Sequence, residues 1–88
     1  MSKTEIMTIE RFRVASFEKK CEWVIKNTTY LTSTEVGINK IYLYHTGYFF
    51  IEVSYSTQLK RVDYIQAFNT IEKLIPYTES ISLEELIR

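Results

Sequence analysis

Residues 38–55 constrain this chain more than any other stretch, because they read as a β-hairpin whose register follows from the side chains. Ile38–Tyr44 and Tyr48–Ser54 are rich in β-branched and aromatic residues, the types that suit a pleated, half-buried surface. His45, Thr46 and Gly47 lie between them, and a loop ending in Gly suits a left-handed final residue. A three-residue loop sets Tyr44 against Tyr48, Leu43 against Phe49, Tyr42 against Phe50, Ile41 against Ile51 and Lys40 against Glu52. That register makes one face wholly apolar, with Ile41, Leu43, Phe49, Ile51 and Val53. The other face receives Lys40, Tyr42, Tyr44, Tyr48, Phe50 and Glu52. A loop one residue shorter sets Ile41 against Glu52, and a one-residue slip turns every side chain of a strand to the other face.

The second face, with three tyrosines and a phenylalanine, is too apolar for a plain solvent surface. Its cover is a helix of the same chain, a second copy or another molecule. Tyr and Phe are favoured at the cores of interfaces. Tyr42, Tyr44, Tyr48 and Phe50 are therefore the candidate interface.

Residues 4–35 contain neither Gly nor Pro, which permits a long helical region. Phe17, Cys21, Val24, Thr28 and Leu31 form one stripe at helical spacing, so residues 17–31 read as a helix, with Ser16 as its N-cap. Residues 4–15 either continue that helix, bent near Ser16, or form a separate one. Thr32–Gly37 reads as a polar connection and Thr57–Lys60 as a turn. Arg61–Phe68 reads as a third strand antiparallel to the second. One facing buries Val62, Tyr64 and Phe68, the other Ile65 and Ala67. Asn69 or Thr70 then caps a short helix ending before Pro76, with Phe68, Ile71 and Ile75 inward. Ser82-x-x-Glu85 is a capping-box pattern for a last short helix. The fold class is α+β: one small domain over residues 1–88 with an N-terminal helix, a three-stranded antiparallel meander and short C-terminal helices.

With 88 residues, a chain this small buries a limited share of its unfolded surface, so self-association would add stability. Lys and Arg total 11, as do Asp and Glu, and zero net charge argues against electrostatic capture by nucleic acid or anionic membrane. A single cysteine, Cys21, excludes an internal disulfide and a cysteine-based zinc site. No apolar run is long enough to span a bilayer, and MSKTEIMTIERF lacks the apolar centre of a signal peptide. These features lead to the expectation of a cytoplasmic protein.

At YLYHTGYFFIEVSYS, followed by IQAF and PYTESISLEEL, the sequence resembles a group of small uncharacterised bacterial proteins. The resemblance spans roughly residues 20–87 and rests on turn, strand and helix-stop residues. It implies a bacterial origin and this fold, and carries over no activity, catalytic residue or binding residue.

Chemistry-bearing residues are sparse. His45, the only histidine, has no acidic neighbour in sequence to orient it and reads as a polar turn residue. Cys21 sits on the apolar stripe as a small core residue, without a basic or Gly-rich setting. Glu52 and Asp63 on adjacent strands read as cross-strand charge partners of Lys40 and Arg61. No phosphate loop, nucleophile elbow or metal spacing occurs, so neither a cofactor nor a metal is expected. The sequence thus points to a non-enzymatic protein-interaction module, expected as a homodimer. Such a module binds a protein partner in the manner of an antitoxin, immunity protein or inhibitor. One alternative is a nucleic-acid-associated regulator using Arg11, Arg13, Lys19 and Lys20 with the stacking aromatics. Another is a small ligand-binding domain or enzyme with a pocket between subunits.

Overall fold

Two polar caps, one helix apart, decide how the chain begins. In the computed structural model, which describes residues 7–77, Thr8 caps helix α1 (Ile9–Val14) and Ser16 caps helix α2 (Phe17–Asn27). The Thr8 hydroxyl accepts from Arg11 N at 3.2 Å, and the Ser16 hydroxyl accepts from Lys19 N at 3.1 Å. Ala15 and Ser16 are both extended, so the chain makes two helices rather than one bent one. Ser16→Ala is expected to lower the free energy of unfolding by about 1 kcal/mol, read by urea denaturation.

Helix α2 stops at Asn27, four residues before the expected end. The Thr28 hydroxyl donates to Val24 O at 2.6 Å while its own backbone turns extended. Thr28, Thr29, Thr32 and Thr34 are β-branched, which lowers their preference for helix and raises it for strand. What reads as the end of a helical stripe and a polar connection is strand β1 (Thr29–Val36). A two-residue turn, Gly37–Ile38, joins it to β2 (Asn39–His45), and Gly37 takes φ +63°. Strands β3 (Phe50–Ser56) and β4 (Arg61–Phe68) complete a four-stranded antiparallel sheet in the order β1-β2-β3-β4. The meander therefore has four strands, not three. Arg61–Phe68 and the turn at Thr57–Lys60 stand where the sequence places them.

The β2–β3 register differs from the expected one by three residues. His45 pairs with Phe50, Tyr44 with Ile51, Leu43 with Glu52, Tyr42 with Val53, Ile41 with Ser54 and Lys40 with Tyr55. The cause is Thr46. Its backbone N–H bonds Phe49 O at 3.0 Å, and its hydroxyl accepts from the N–H groups of Tyr48 and Phe49, both at 3.1 Å. Thr46 thus closes a two-residue turn of Gly47 and Tyr48, with Gly47 at φ +100° as the first turn residue. An odd shift reverses which residues of the two strands share a face.

On one face the helices pack. Ile9, Phe12 and Val24 meet Phe49, Ile51, Ile65 and Ala67, with Phe12 and Phe49 ring centroids 5.9 Å apart. On the other face Leu43, Phe50 and Phe68 lie under a 3-10 helix, Ile71–Tyr77, that contributes Leu74 and Tyr77. Three residues per 3-10 turn put Leu74 and Tyr77 on one line. Ile71 and Ile75, expected inward, are exposed. The pattern at Ser82–Glu85 lies outside the described residues.

Two bulges settle the remaining facings. Leu31 is the extra residue of β1, so Tyr30 pairs with Tyr44 on the helix side while Thr32 pairs with Leu43 on the other. Asp63 is the extra residue of β4, so Val62 and Ile65 both reach the helix-side core. Ile65 and Ala67 face the helix-side core as the second facing has it; of the first facing Val62 joins them, because a bulge switches parity mid-strand, while Phe68 is buried on the opposite face and Tyr64 is exposed.

Candidate interaction face

The helices are short and leave the β1–β2 half of their sheet face open. Tyr30 of β1 and Tyr42 and Tyr44 of β2 gather there, because the Leu31 bulge brings Tyr30 to their side. The Tyr30 ring lies 5.8 Å from Tyr44, edge-on at 67°, and 6.3 Å from Tyr42. Such aromatic pairs add about 0.5–1.5 kcal/mol beyond the area they bury. Lys40 Nζ stands 5.4 Å from the centre of the Tyr42 ring. Tyr30 is 52% exposed, and Tyr42 and Tyr44 are half-buried. Burial, and secondarily the neighbouring phenols of Tyr42 and Tyr30, push the Tyr44 hydroxyl pKa up from its ordinary value.

A groove of about 190 Å³ adjoins the cluster, lined by Cys21, Val24 and Ile25 of α2 and by Tyr44, Val53, Val62 and Ile65 of the sheet. Its walls are almost wholly apolar, and Ile25 stands 80% exposed at its lip. The groove holds the free thiol of Cys21 without a basic or imidazole group among its lining residues. Surface of this kind binds apolar side chains.

The four expected interface residues do not share a face. Tyr42 and Tyr44 belong to the open cluster. Tyr48 is exposed at the hairpin tip, beside a second hollow lined by Met7, Thr8, Ile9, Phe49 and Asn69. Phe50 is buried on the opposite face, stacked on Phe68 at 5.5 Å, with the His45 ring 4.8 Å away. Two contributors were missed. Tyr30 was hidden by reading residues 28–31 as helix; its signal was the run of threonines around it. Ile25, beside Val24 on α2, is not among the residues singled out above, and it points outward.

The expected basic group is dispersed. Arg13 Nη2 donates to Ala67 O at 3.2 Å, Lys20 lies over the Phe12 ring, and Lys19 pairs with Glu22 at 3.6 Å. Arg11 is exposed on α1. A hydrogen bond from Lys26, with Lys19 nearby, holds the Glu22 carboxyl below the usual range.

The carboxylates take roles other than pairing. Glu52 does not meet Lys40, because the register shift turns it inward. It accepts from Gln66 Nε2 and the Tyr77 hydroxyl, both at 2.6 Å. Asp63 accepts from Asn39 Nδ2 at 2.6 Å and lies 4.0 Å from Arg61, the one expected charge pair present. Asn39 also donates to Ser54 Oγ at 2.9 Å. Among the described residues, no three metal-ligating side chains cluster and no helix is long and apolar enough to cross a membrane.

Compared with protein-family models, curated proteins and solved structures, the chain matches none.

Proposed function

We propose that this chain is a non-enzymatic protein-interaction module working through the open helix-side face of β1 and β2. The observation that carries this reading is the cluster of Tyr30, Tyr42 and Tyr44, left half open beside an apolar groove. Tyrosine supplies large, rigid contact area at low entropic cost, with a hydroxyl that tolerates water until it is covered. The buried polar groups elsewhere fit a structural role. Glu52, Gln66 and Tyr77 satisfy one another, and no nucleophile–base pair stands among the described hydrogen bonds. The reading keeps the sequence-based expectation of an interaction module and moves its surface. Tyr30 joins Tyr42 and Tyr44, while Tyr48 and Phe50 leave.

The test is the double substitution Tyr30→Ser with Tyr42→Ser. Both rings are partly exposed, so the variant should keep its circular dichroism spectrum and melt within several degrees of wild type. It should lose at least about ten-fold in affinity for whatever protein, including itself, the wild type binds. An unfolded variant would make the face part of the core. A folded variant with unchanged self-association and unchanged captured proteins would remove the face from the function.

A further inference from the structure

The structure carries both halves of a reciprocal contact side by side. One half is a protrusion. Phe17, Cys21 and Ile25 follow one another at four-residue steps along one side of α2, with Phe17 and Ile25 exposed. The other half is a recess, the open sheet surface of Tyr30, Tyr42 and Tyr44. The groove joins them, because Ile25 and Cys21 form one wall and Tyr44 and Val53 the floor.

We infer that the occupant of this face is a second copy of the same chain, docked about a two-fold axis through the groove. The α2 row of each copy then lies on the tyrosine cluster of the other. This rests on the interaction reading above and names its partner.

Two observations favour a second copy over a foreign segment. A foreign helix in the recess would leave the α2 row bare, whereas a copy covers both features at once, as an isologous contact requires. The charges around the face balance: Glu35 and Lys40 on the sheet, and Glu18, Glu22, Lys19 and Lys26 on α2, give three carboxylates and three ammonium groups. Lys20 is turned away over Phe12. A face that is neutral and of mixed sign does not repel its own image, and Glu35 of one copy can meet a lysine of the other.

The experiment is the solution mass of the full chain by light scattering and sedimentation, under reductant, from low to high micromolar concentration and at two salt concentrations. The same runs are made on Ile25→Glu. Ile25 is largely solvent-exposed, so the substitution leaves the fold alone. Wild type should form a dimer that salt does not dissolve. Ile25→Glu should raise the dimer dissociation constant at least about ten-fold with an unchanged spectrum. Alkylation of Cys21 should be slowed in the wild-type dimer and restored in the variant. A wild type that stays monomeric throughout overturns the inference. So does a dimer that neither Ile25→Glu nor the double tyrosine substitution weakens. A monomeric wild type whose bound foreign protein is lost on replacing Tyr30 and Tyr42 overturns the second-copy inference and leaves the interaction face standing. A monomer whose captured proteins ignore those substitutions removes both.

Discussion

Phe50→Ala should destabilise the protein by about 3–5 kcal/mol, the range for removing a buried aromatic ring. Phe50 is 8% exposed, stacked on Phe68 with the planes 22° apart, and packed in the cluster with Leu43, Leu74 and Tyr77. A domain of 88 residues has a total stability of about 4–13 kcal/mol. The loss is a large part of that and should lower the melting temperature by roughly 12–40 °C. Tyr42→Ala, by contrast, removes a half-exposed ring and should cost about 1 kcal/mol. The comparison tests the hairpin register directly. With Phe50 opposite Tyr42 the two substitutions would act on one face and cost alike. With Phe50 opposite His45 they act on opposite faces and differ by several-fold. Melting curves for the two variants that coincide would refute the register described here.

That register also shows where the sequence was legible and where it was not. Strand content over 38–55 and 61–68 was readable because β-branched and aromatic residues crowd there. The cap at Ser16 was readable because a hydroxyl residue stands before the helical stripe. The turn is not set by Gly47 alone, whose positive φ the sequence leads one to expect, but by Thr46, whose hydroxyl holds two backbone N–H groups and thereby chooses the closing pair. Both registers offer hydrophobic partners at most positions, so pattern alone did not separate them. The four-residue overrun of α2 had a similar origin. Thr28 and Leu31 fall on the helical stripe, and only the density of threonines after them argues for a strand. Bulges at Leu31 and Asp63 leave no period-2 trace, because an extra residue switches parity within a strand. The candidate site suffered most from this. Two of its residues, Tyr42 and Tyr44, were named from the sequence, but Tyr30 enters only through the first bulge and Ile25 only through the end of α2.

Tyr77 ties the 3-10 helix to the sheet through a polar contact, and Tyr77→Phe should expose its worth in two ways. Tyr77 is 1% exposed, and its hydroxyl donates to Glu52 Oε2 at 2.6 Å. A hydrogen bond to a buried carboxylate contributes about 1.5–3 kcal/mol, so the variant should lose about 2 kcal/mol at neutral pH. The second effect is a change of pH dependence. Burial, and then the hydrogen bond to Glu52, raise the Tyr77 pKa well above the ordinary tyrosine value, so the folded state keeps its proton where the unfolded chain releases it. The contribution is fully present below the unfolded pKa of about 10 and is lost as pH climbs from there toward the folded value. Each such group makes stability fall by about 1.4 kcal/mol per pH unit in that window. Tyr44 and Tyr64 are raised as well, chiefly by burial, and give slopes of the same sign in wild type and variant. Tyr77→Phe removes one slope of the three. Its stability curve should lie below that of wild type up to about pH 10 and approach it above. Urea titrations at steps of pH through that range measure both curves. Curves that stay parallel would mean that Tyr77 titrates normally and that Glu52 does not hold it in the fold.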